Sequence, residues 1–106
     1  MGLENYTGEW YACYLATGGM SGDPRSLFNL NLSLELNGDG TGIFTFVEPK
    51  TGIWYQDAES GIVFFGEGGD EPDMPLTLLE DGFLRYGNEL SGYFVFSRNA
   101  DAVWTP

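Results

Sequence analysis

The chain has 106 residues, a common size for one domain and enough for a hydrophobic core without a metal ion or a disulfide. Its 16 acidic and 4 basic residues give a formal net charge of -12, and so acidic a surface repels nucleic-acid phosphates and anionic lipid headgroups. Nucleic acid is therefore not an expected partner. No apolar run reaches roughly 18 residues and no basic leader is visible, so neither a membrane span nor a signal peptide is predicted.

Aromatic residues make up 16% of the chain, and 16 glycines are scattered between apolar runs, a composition typical of strands joined by tight turns. The first predicted strand covers residues 8–16, where Trp10, Ala12 and Tyr14 alternate with the other face. Residues 17–27 are predicted to form a loop with one helical turn. The Asp23-Pro24 pair supplies the N-cap and the first helical position of that turn.

The most regular alternation covers residues 28–36 and predicts a strand with one wet face. The segment Asn37-Gly38-Asp39-Gly40 follows, and its residues readily take the positive φ angles of a hairpin turn, so residues 41–47 should return as the next strand. A further turn is predicted from Glu48 to Thr51, because Pro49 cannot donate to a ladder. Residues 52–56 then form a strand around Trp54.

Four more short strands are predicted in the second half of the chain, at residues 62–65, 76–79, 83–86 and 92–98. Residues 66–75 read as a glycine- and acid-rich loop, and residues 99–106 as a tail attached loosely except at Trp104. Eight short strands joined by turns predict an all-β fold, an eight-stranded antiparallel up-and-down meander barrel, because closing the sheet removes its exposed edges. The whole chain, 1–106, is one domain with its core at residues 6–98.

Four segments, taken in order and spacing, resemble the bacterial lipocalin-like domains of secreted and surface proteins of Gram-positive bacteria. These segments are Gly8-Glu9-Trp10, residues 32–42 through the first hairpin, Gly52-Ile53-Trp54, and residues 94–98 on the last strand. The resemblance implies that Trp10 closes one end of the barrel with Arg98 over its ring. It also implies a secreted or cell-surface location. Lipocalins proper are longer, so this chain leaves little room for a deep ligand cup.

The barrel interior is the candidate ligand site. Bulky residues dominate the side chains predicted to point inward, which favours a filled core over a cavity. The predicted inward residues are Tyr14, Leu30, Leu32, Leu34, Phe44, Phe46, Trp54, Phe64, Tyr93 and Val95. The chain is accordingly predicted to be a non-enzymatic lipocalin-like module of an exported bacterial protein, whose barrel either holds a small apolar ligand or is filled by its own side chains.

Residues 43–47 and 62–65 are apolar on both faces, although a solvated antiparallel sheet should alternate. Something is therefore expected to cover the outward side chains: the tail with Trp104, a second copy of the chain, or a neighbouring repeat domain. The alternative function is a structural or protein-interaction module that uses this apolar outer face.

The sequence offers little for catalysis. It contains no histidine, and its one cysteine, Cys13, lies in an apolar strand and is predicted to be buried, so zinc and catalytic triads lack their usual residues. Acidic residues such as Asp57 and Glu59 lie in or beside predicted turns, where solvation explains them. Neither an enzyme nor a cofactor is expected.

The loop after residue 66 is the one weak candidate for a metal site. It carries carboxylates at Glu67, Asp70, Glu71 and Asp73, and calcium prefers oxygen ligands of this kind. The spacing matches no calcium-binding loop, so a solvated loop is the preferred interpretation.

Overall fold

The computed structural model of the chain describes residues 3–27, 32–46, 48–68, 73–80 and 82–105. A single 3-10 turn, Leu3–Asn5, precedes the first strand, and one short helix, α1 (Pro24–Leu27), follows the second. The strands are β1 (Gly8–Thr17), β2 (Met20–Gly22), β3 (Ser33–Leu36), β4 (Thr41–Phe46), β5 (Glu48–Gln56), β6 (Val63–Gly66), β7 (Met74–Leu78), β8 (Leu84–Asn88) and β9 (Gly92–Ser97).

Every strand pairs antiparallel with its neighbours, in the order β2-β1-β3-β4-β5-β6-β7-β8-β9, and β1 also pairs with β9. Eight strands therefore close into the predicted meander barrel, and β2 is an additional strand on the second half of β1. The sequence-based prediction placed β2 in a loop. Gly18 and Gly19, at φ values of 57° and 82°, make the tight turn that folds it back.

Helix α1 confirms the predicted helical turn between the first two long strands. The carboxylate of Asp23 accepts a hydrogen bond from the backbone N–H of Arg25 at 2.9 Å, which is the expected N-cap. The same carboxylate binds the guanidinium of Arg25 at 2.7 Å, and this contact lowers the pKa of Asp23.

The predicted turn at residues 48–51 is wrong, because β5 begins at Glu48 and Pro49 pairs with Thr45 of β4. Strand β6 pairs with β5 only from Ile53 onward. Within the described residues, the first half of β5 therefore has a strand on one side alone. A proline at such an edge costs no ladder hydrogen bond, and Pro49 and Lys50 make the edge a poor template for further strands.

A register shift in β1 changes which side chains enter the barrel. Ala12 lies opposite Phe96, but Tyr14 lies opposite Val95, so Cys13 is an extra residue on β1. Such a bulge reverses the alternation beyond it. Tyr14 consequently faces away from the core, and its predicted inward position is wrong.

The predicted inward positions of Phe64 and Tyr93 are also wrong, and Val95, although fully buried, lies on the outer face of β9. On β6 the core takes Val63 and Phe65, and on β9 it takes Phe96 with Phe94 packed against it. Alternation then places the residues between them on the outer face. These strands are apolar on both faces, so the sequence pattern carries little information about which set points inward.

The remaining inward predictions agree better with the structure. Leu32, Leu34 and Trp54 belong to the core, and Phe44 packs against it. Phe46, at the end of β4, is 40% exposed, and Leu30 lies outside the described residues. The buried core comprises Trp10, Ala12, Leu32, Leu34, Leu36, Trp54, Val63, Phe65, Leu76, Leu84 and Phe96.

Two glycines make room for the ring of Phe65 in this core. Gly42 of β4 and Gly52 of β5 are directly paired, and the ring of Phe65 fills the space beside both. A Cβ at Gly42 would lie 2.8 Å from Cε1 of Phe65, and one at Gly52 would lie 2.4 Å from the carbonyl oxygen of Gly66. The close approach of β4, β5 and β6 therefore depends on glycine at both positions.

Candidate functional site

One end of the barrel is closed by Trp10, which is 1% exposed. Its indole N–H donates to the carbonyl of Tyr6 at 2.8 Å, and Cζ of Arg98 lies 4.1 Å from the centre of the ring. Arg98 also donates to the carbonyl oxygens of Thr7 and Asn5, at 2.7 Å each. This arrangement has the geometry that the lipocalin resemblance implied for Trp10 and Arg98, and it ties the N-terminal turn across the barrel end.

A second aromatic pair supports the same end. The rings of Tyr6 and Trp54 lie 6.1 Å apart, and the indole N–H of Trp54 donates to the carbonyl of Asn37 at 2.7 Å. Burial raises the pKa of Tyr6. The polar atoms of both tryptophans are thus satisfied within the chain, so their roles here are structural.

Aromatic side chains also line the interior towards the other end. Phe44 lies 5.4 Å from Tyr86 and 5.6 Å from Phe94, and Phe46 lies 6.5 Å from Phe94, between ring centres. These four residues are partly exposed, in contrast to the fully buried side chains around Trp10. They are the candidate contacts for a small apolar ligand. Sequence reasoning found Phe44 and Phe46. It missed Phe94 because it chose the wrong face of β9, and it named no inward residue on β8, which carries Tyr86.

The C-terminal tail lies against α1 and the outer face of β1. The ring of Trp104 lies 4.9 Å from that of Tyr14, and Arg25 donates to the carbonyl of Ala102 at 2.7 Å. The guanidinium of Arg85 lies 5.8 Å from the ring centre of Tyr93 on the same face. The expected cover by Trp104 is therefore present, but over different strands from those that the sequence singled out.

A second apolar surface lies on the outer face of β5 and β6, and the tail contacts lie elsewhere. Ile53 is 57% exposed, Ile62 44% and Tyr55 40%. Tyr55 lies directly opposite Phe64, with 5.9 Å between ring centres. We call these four residues, Ile53, Tyr55, Ile62 and Phe64, the outer patch. Sequence reasoning pointed to residues 62–65 and missed the contribution of β5.

Carboxylates lie at the margin of the outer patch. The hydroxyl of Tyr55 donates to Asp73, and this bond raises the pKa of the tyrosine. The Asp73 carboxylate occupies the space that a Cβ at Gly66, opposite Ile53, would need. Asp57 also acts on Tyr55 through its charge. Asp73 and Asp57 thus place negative charge on two sides of Tyr55.

Hydrogen bonds within turns stabilise the ionised form of nearby acids. Asp57 accepts from the hydroxyl of Ser60 at 2.7 Å and from its backbone N–H at 3.0 Å, and both bonds lower the pKa of Asp57. Asp39 accepts from the hydroxyl of Thr41 at 2.6 Å, which lowers its pKa in the same way. Thr41 lies opposite Ile53. Both acids are therefore charged at neutral pH and close to the outer patch.

A groove of about 280 Å³ adjoins Tyr55 at the closed end of the barrel. It is lined by Trp54 and Tyr55 of β5, by Gly38 and Gly40 of the β3–β4 turn, and by Glu4 and Thr7 of the N-terminal segment. Glu4 is its one charged residue. The groove could hold an elongated side chain with a positively charged tip, because a cation over an aromatic ring and beside a carboxylate is favoured twice.

The candidate metal loop gains no support as a cluster. Glu67 and Asp73 are described, Asp70 and Glu71 lie outside the described residues, and the carboxylate of Asp73 is engaged by Tyr55. In the described ranges, no three His, Cys, Asp or Glu residues lie close enough together to hold a metal ion. Cys13 is buried as predicted, and burial raises its pKa to about 11.

Across the described segments, no helix has both the length and the apolar character needed to cross a bilayer. No family model, curated protein or solved structure matches the chain. The proposal of a function therefore depends on features of the structure itself: the barrel, the outer patch and the acidic residues beside it.

Proposed function

We propose that this barrel is a non-enzymatic, lipocalin-like module of an exported bacterial protein that binds another protein through the outer patch. The observation that carries the proposal is the exposure of Ile53, Tyr55 and Ile62 on one continuous sheet face. Contiguous exposed apolar surface marks interaction sites in soluble proteins. Tyrosine is also among the residues that contribute most to interface energies.

The packing of the interior favours protein binding on the outer face over binding of a small ligand inside the barrel. Trp10, Leu34, Phe65 and Phe96 are exposed by at most 1%, and interiors packed to this extent hold few voids larger than a water molecule. Protein binding at the outer patch needs no rearrangement of this core.

Photo-crosslinking tests the proposal. A photoreactive amino acid replaces Ile53 in one variant and Leu90, which is 99% exposed and lies in the β8–β9 turn, in a matched control. After irradiation in the native host, position 53 should give one discrete adduct that position 90 does not give. An adduct of twice the chain mass would identify a second copy as the occupant. Identical patterns from both positions, or no adduct from either, would rule out the outer patch as a binding surface.

A small apolar ligand at the aromatic end of the barrel is the second candidate function. The partial exposure of Phe44, Phe46, Tyr86 and Phe94 on the inner face favours it. Native mass spectrometry and thermal shift with fatty acids test it, with Phe46→Ala as the matched variant. A bound species that is lost in Phe46→Ala supports a carrier, and the absence of both a bound species and a melting shift excludes one for this ligand class.

A further inference from the structure

We infer that the partner segment recognised by the outer patch is basic and amphipathic, with lysine or arginine side chains flanking apolar ones. The inference rests on the proposed function, since it names the chemistry of the partner at the same surface. The features that carry it are the acids around the patch, the groove beside Tyr55 and the charge of the whole chain.

The local charge around the outer patch is negative. Asp73 is bound to Tyr55, Asp57 acts on the same side chain, and Asp39 lies beside Thr41 opposite Ile53. Charges exert their effect over about 8 Å at physiological ionic strength, so these acids reach a segment lying on the patch. A partner with cations at its margin meets complementary charge there.

The chain's own cations lie elsewhere. Arg25 of α1 donates to a backbone carbonyl of the C-terminal tail, and Arg98 donates to one at the closed end. Arg85 lies against Tyr93 on the outer face of β8 and β9. Lys50 lies opposite Phe44, on the inner face, whereas the outer patch faces outward. These are the four basic residues of the chain, and within the described ranges none of them forms an ion pair with Asp39, Asp57 or Asp73.

The groove beside Tyr55 gives a place for one basic side chain. A lysine or arginine on the patch would lay its aliphatic stem along Tyr55, with its charged end towards Glu4. The neighbouring apolar side chains of the same segment would then cover Ile53 and Phe64. One short segment can therefore satisfy both the groove and the outer patch.

Charge also argues against a second copy of the chain as the occupant. Each copy carries a net charge of -12, and bringing two acid-rimmed patches together opposes like charges. A basic partner gains from the same field, since its association is accelerated by the attraction. The acidic residues thus favour a basic partner over a second copy of the chain, although the apolar residues alone would bind either.

Fluorescence anisotropy with three labelled peptides tests the inference. Each peptide has about 10 residues, which in extended form span about 33 Å, comparable to the 36 × 31 × 24 Å extents of the domain. One alternates lysine with leucine, one lysine with serine, and one glutamate with leucine. The lysine–leucine peptide should bind about tenfold more tightly than either control, because it alone matches both the charge and the apolar surface.

Matched variants locate the binding. Ile53→Thr should weaken binding of the lysine–leucine peptide several-fold, and Leu90→Ser should leave it unchanged, because only Ile53 belongs to the outer patch. Glu4→Gln should weaken it about threefold, whereas Glu89→Gln, the same charge loss in the exposed β8–β9 turn, should not. All four sites are exposed, and circular dichroism verifies that each variant is folded.

The outcomes separate the inference from the proposed function. Equal binding of the lysine–leucine and lysine–serine peptides, or equal effects of Glu4→Gln and Glu89→Gln, would show that net charge alone drives binding and would overturn the inference. If position 53 crosslinks a partner while the lysine–leucine peptide does not bind, protein binding stands and the basic partner is wrong. If neither occurs, both are wrong.

Discussion

Phe65 packs against two glycines, so one added methyl group at either position should lower the free energy of unfolding substantially. In Gly52→Ala, the new Cβ would lie 2.4 Å from the carbonyl oxygen of Gly66 and 2.9 Å from Cζ of Phe65. Carbon–oxygen contacts normally measure about 3.3–3.6 Å, so β5 and β6 would have to separate by about 1 Å. Overpacking of this kind costs about 1–3 kcal/mol, and the β5–β6 hydrogen bonds would lengthen as well.

Gly38→Ala is the matched control, because Gly38 does not have a positive φ and a Cβ there meets nothing within 4 Å. This change should leave the free energy of unfolding the same or raise it by about 0.4–1 kcal/mol, through the reduced entropy of the unfolded chain. Urea denaturation followed by tryptophan fluorescence measures both variants. We expect Gly52→Ala to lose about 2 kcal/mol, or about 8 °C in Tm for a domain of this size. Equal midpoints for the two variants would refute the proposed close packing.

Three further predictions concern single side chains. Arg98→Met should lower the free energy of unfolding by about 2 kcal/mol in urea titrations, since it removes two charge-assisted hydrogen bonds and the contact with Trp10; an unchanged midpoint would contradict the role given to Arg98. The thiol of Cys13, with its pKa raised to about 11, should resist alkylation at pH 8 until urea unfolds the chain, and rapid labelling of the folded protein would disagree with its burial. Because Arg25 lowers the pKa of Asp23 in the folded state, the ionised form stabilises the fold above the unfolded pKa of about 3.9, and this contribution disappears as the pH falls through the folded pKa. Asp23→Asn should therefore lower Tm at pH 7 and approach the wild-type Tm near pH 2, as measured by calorimetry, and a difference that persists at pH 2 would exclude the ion pair as its cause.

Local chemistry made much of the barrel predictable. The Asn37-Gly38-Asp39-Gly40 turn fixed the β3–β4 hairpin, and the Asp23-Pro24 pair fixed α1, because in each case a few adjacent residues determine the backbone. The extent of β5 was not predictable from Pro49, since whether a proline is tolerated depends on whether its strand has a neighbour on that side.

The facing of individual side chains was harder to predict. The bulge at Cys13 lies in the pairing of β1 with β9, and the residue pattern along β1 alone does not contain that information. On β6 and β9 both faces are apolar, so the sequence did not indicate which set of alternating residues points into the barrel. For the outer patch a signal was present: Trp54 faces inward, which forces its neighbours Ile53 and Tyr55 outward, and this alternation could have identified them.

The extra residue at Cys13 also divides β1 into two parts with different neighbouring strands. The first half belongs with β3 and carries Trp10, while the second half belongs with β2 and carries Leu15. Deletion of Cys13 would restore regular alternation, but Tyr14 would remain opposite Val95 and outside the barrel. The loss of one codon at this position would therefore shorten β1 without exchanging its inner and outer side chains, and the closed end around Trp10 would stay as it is.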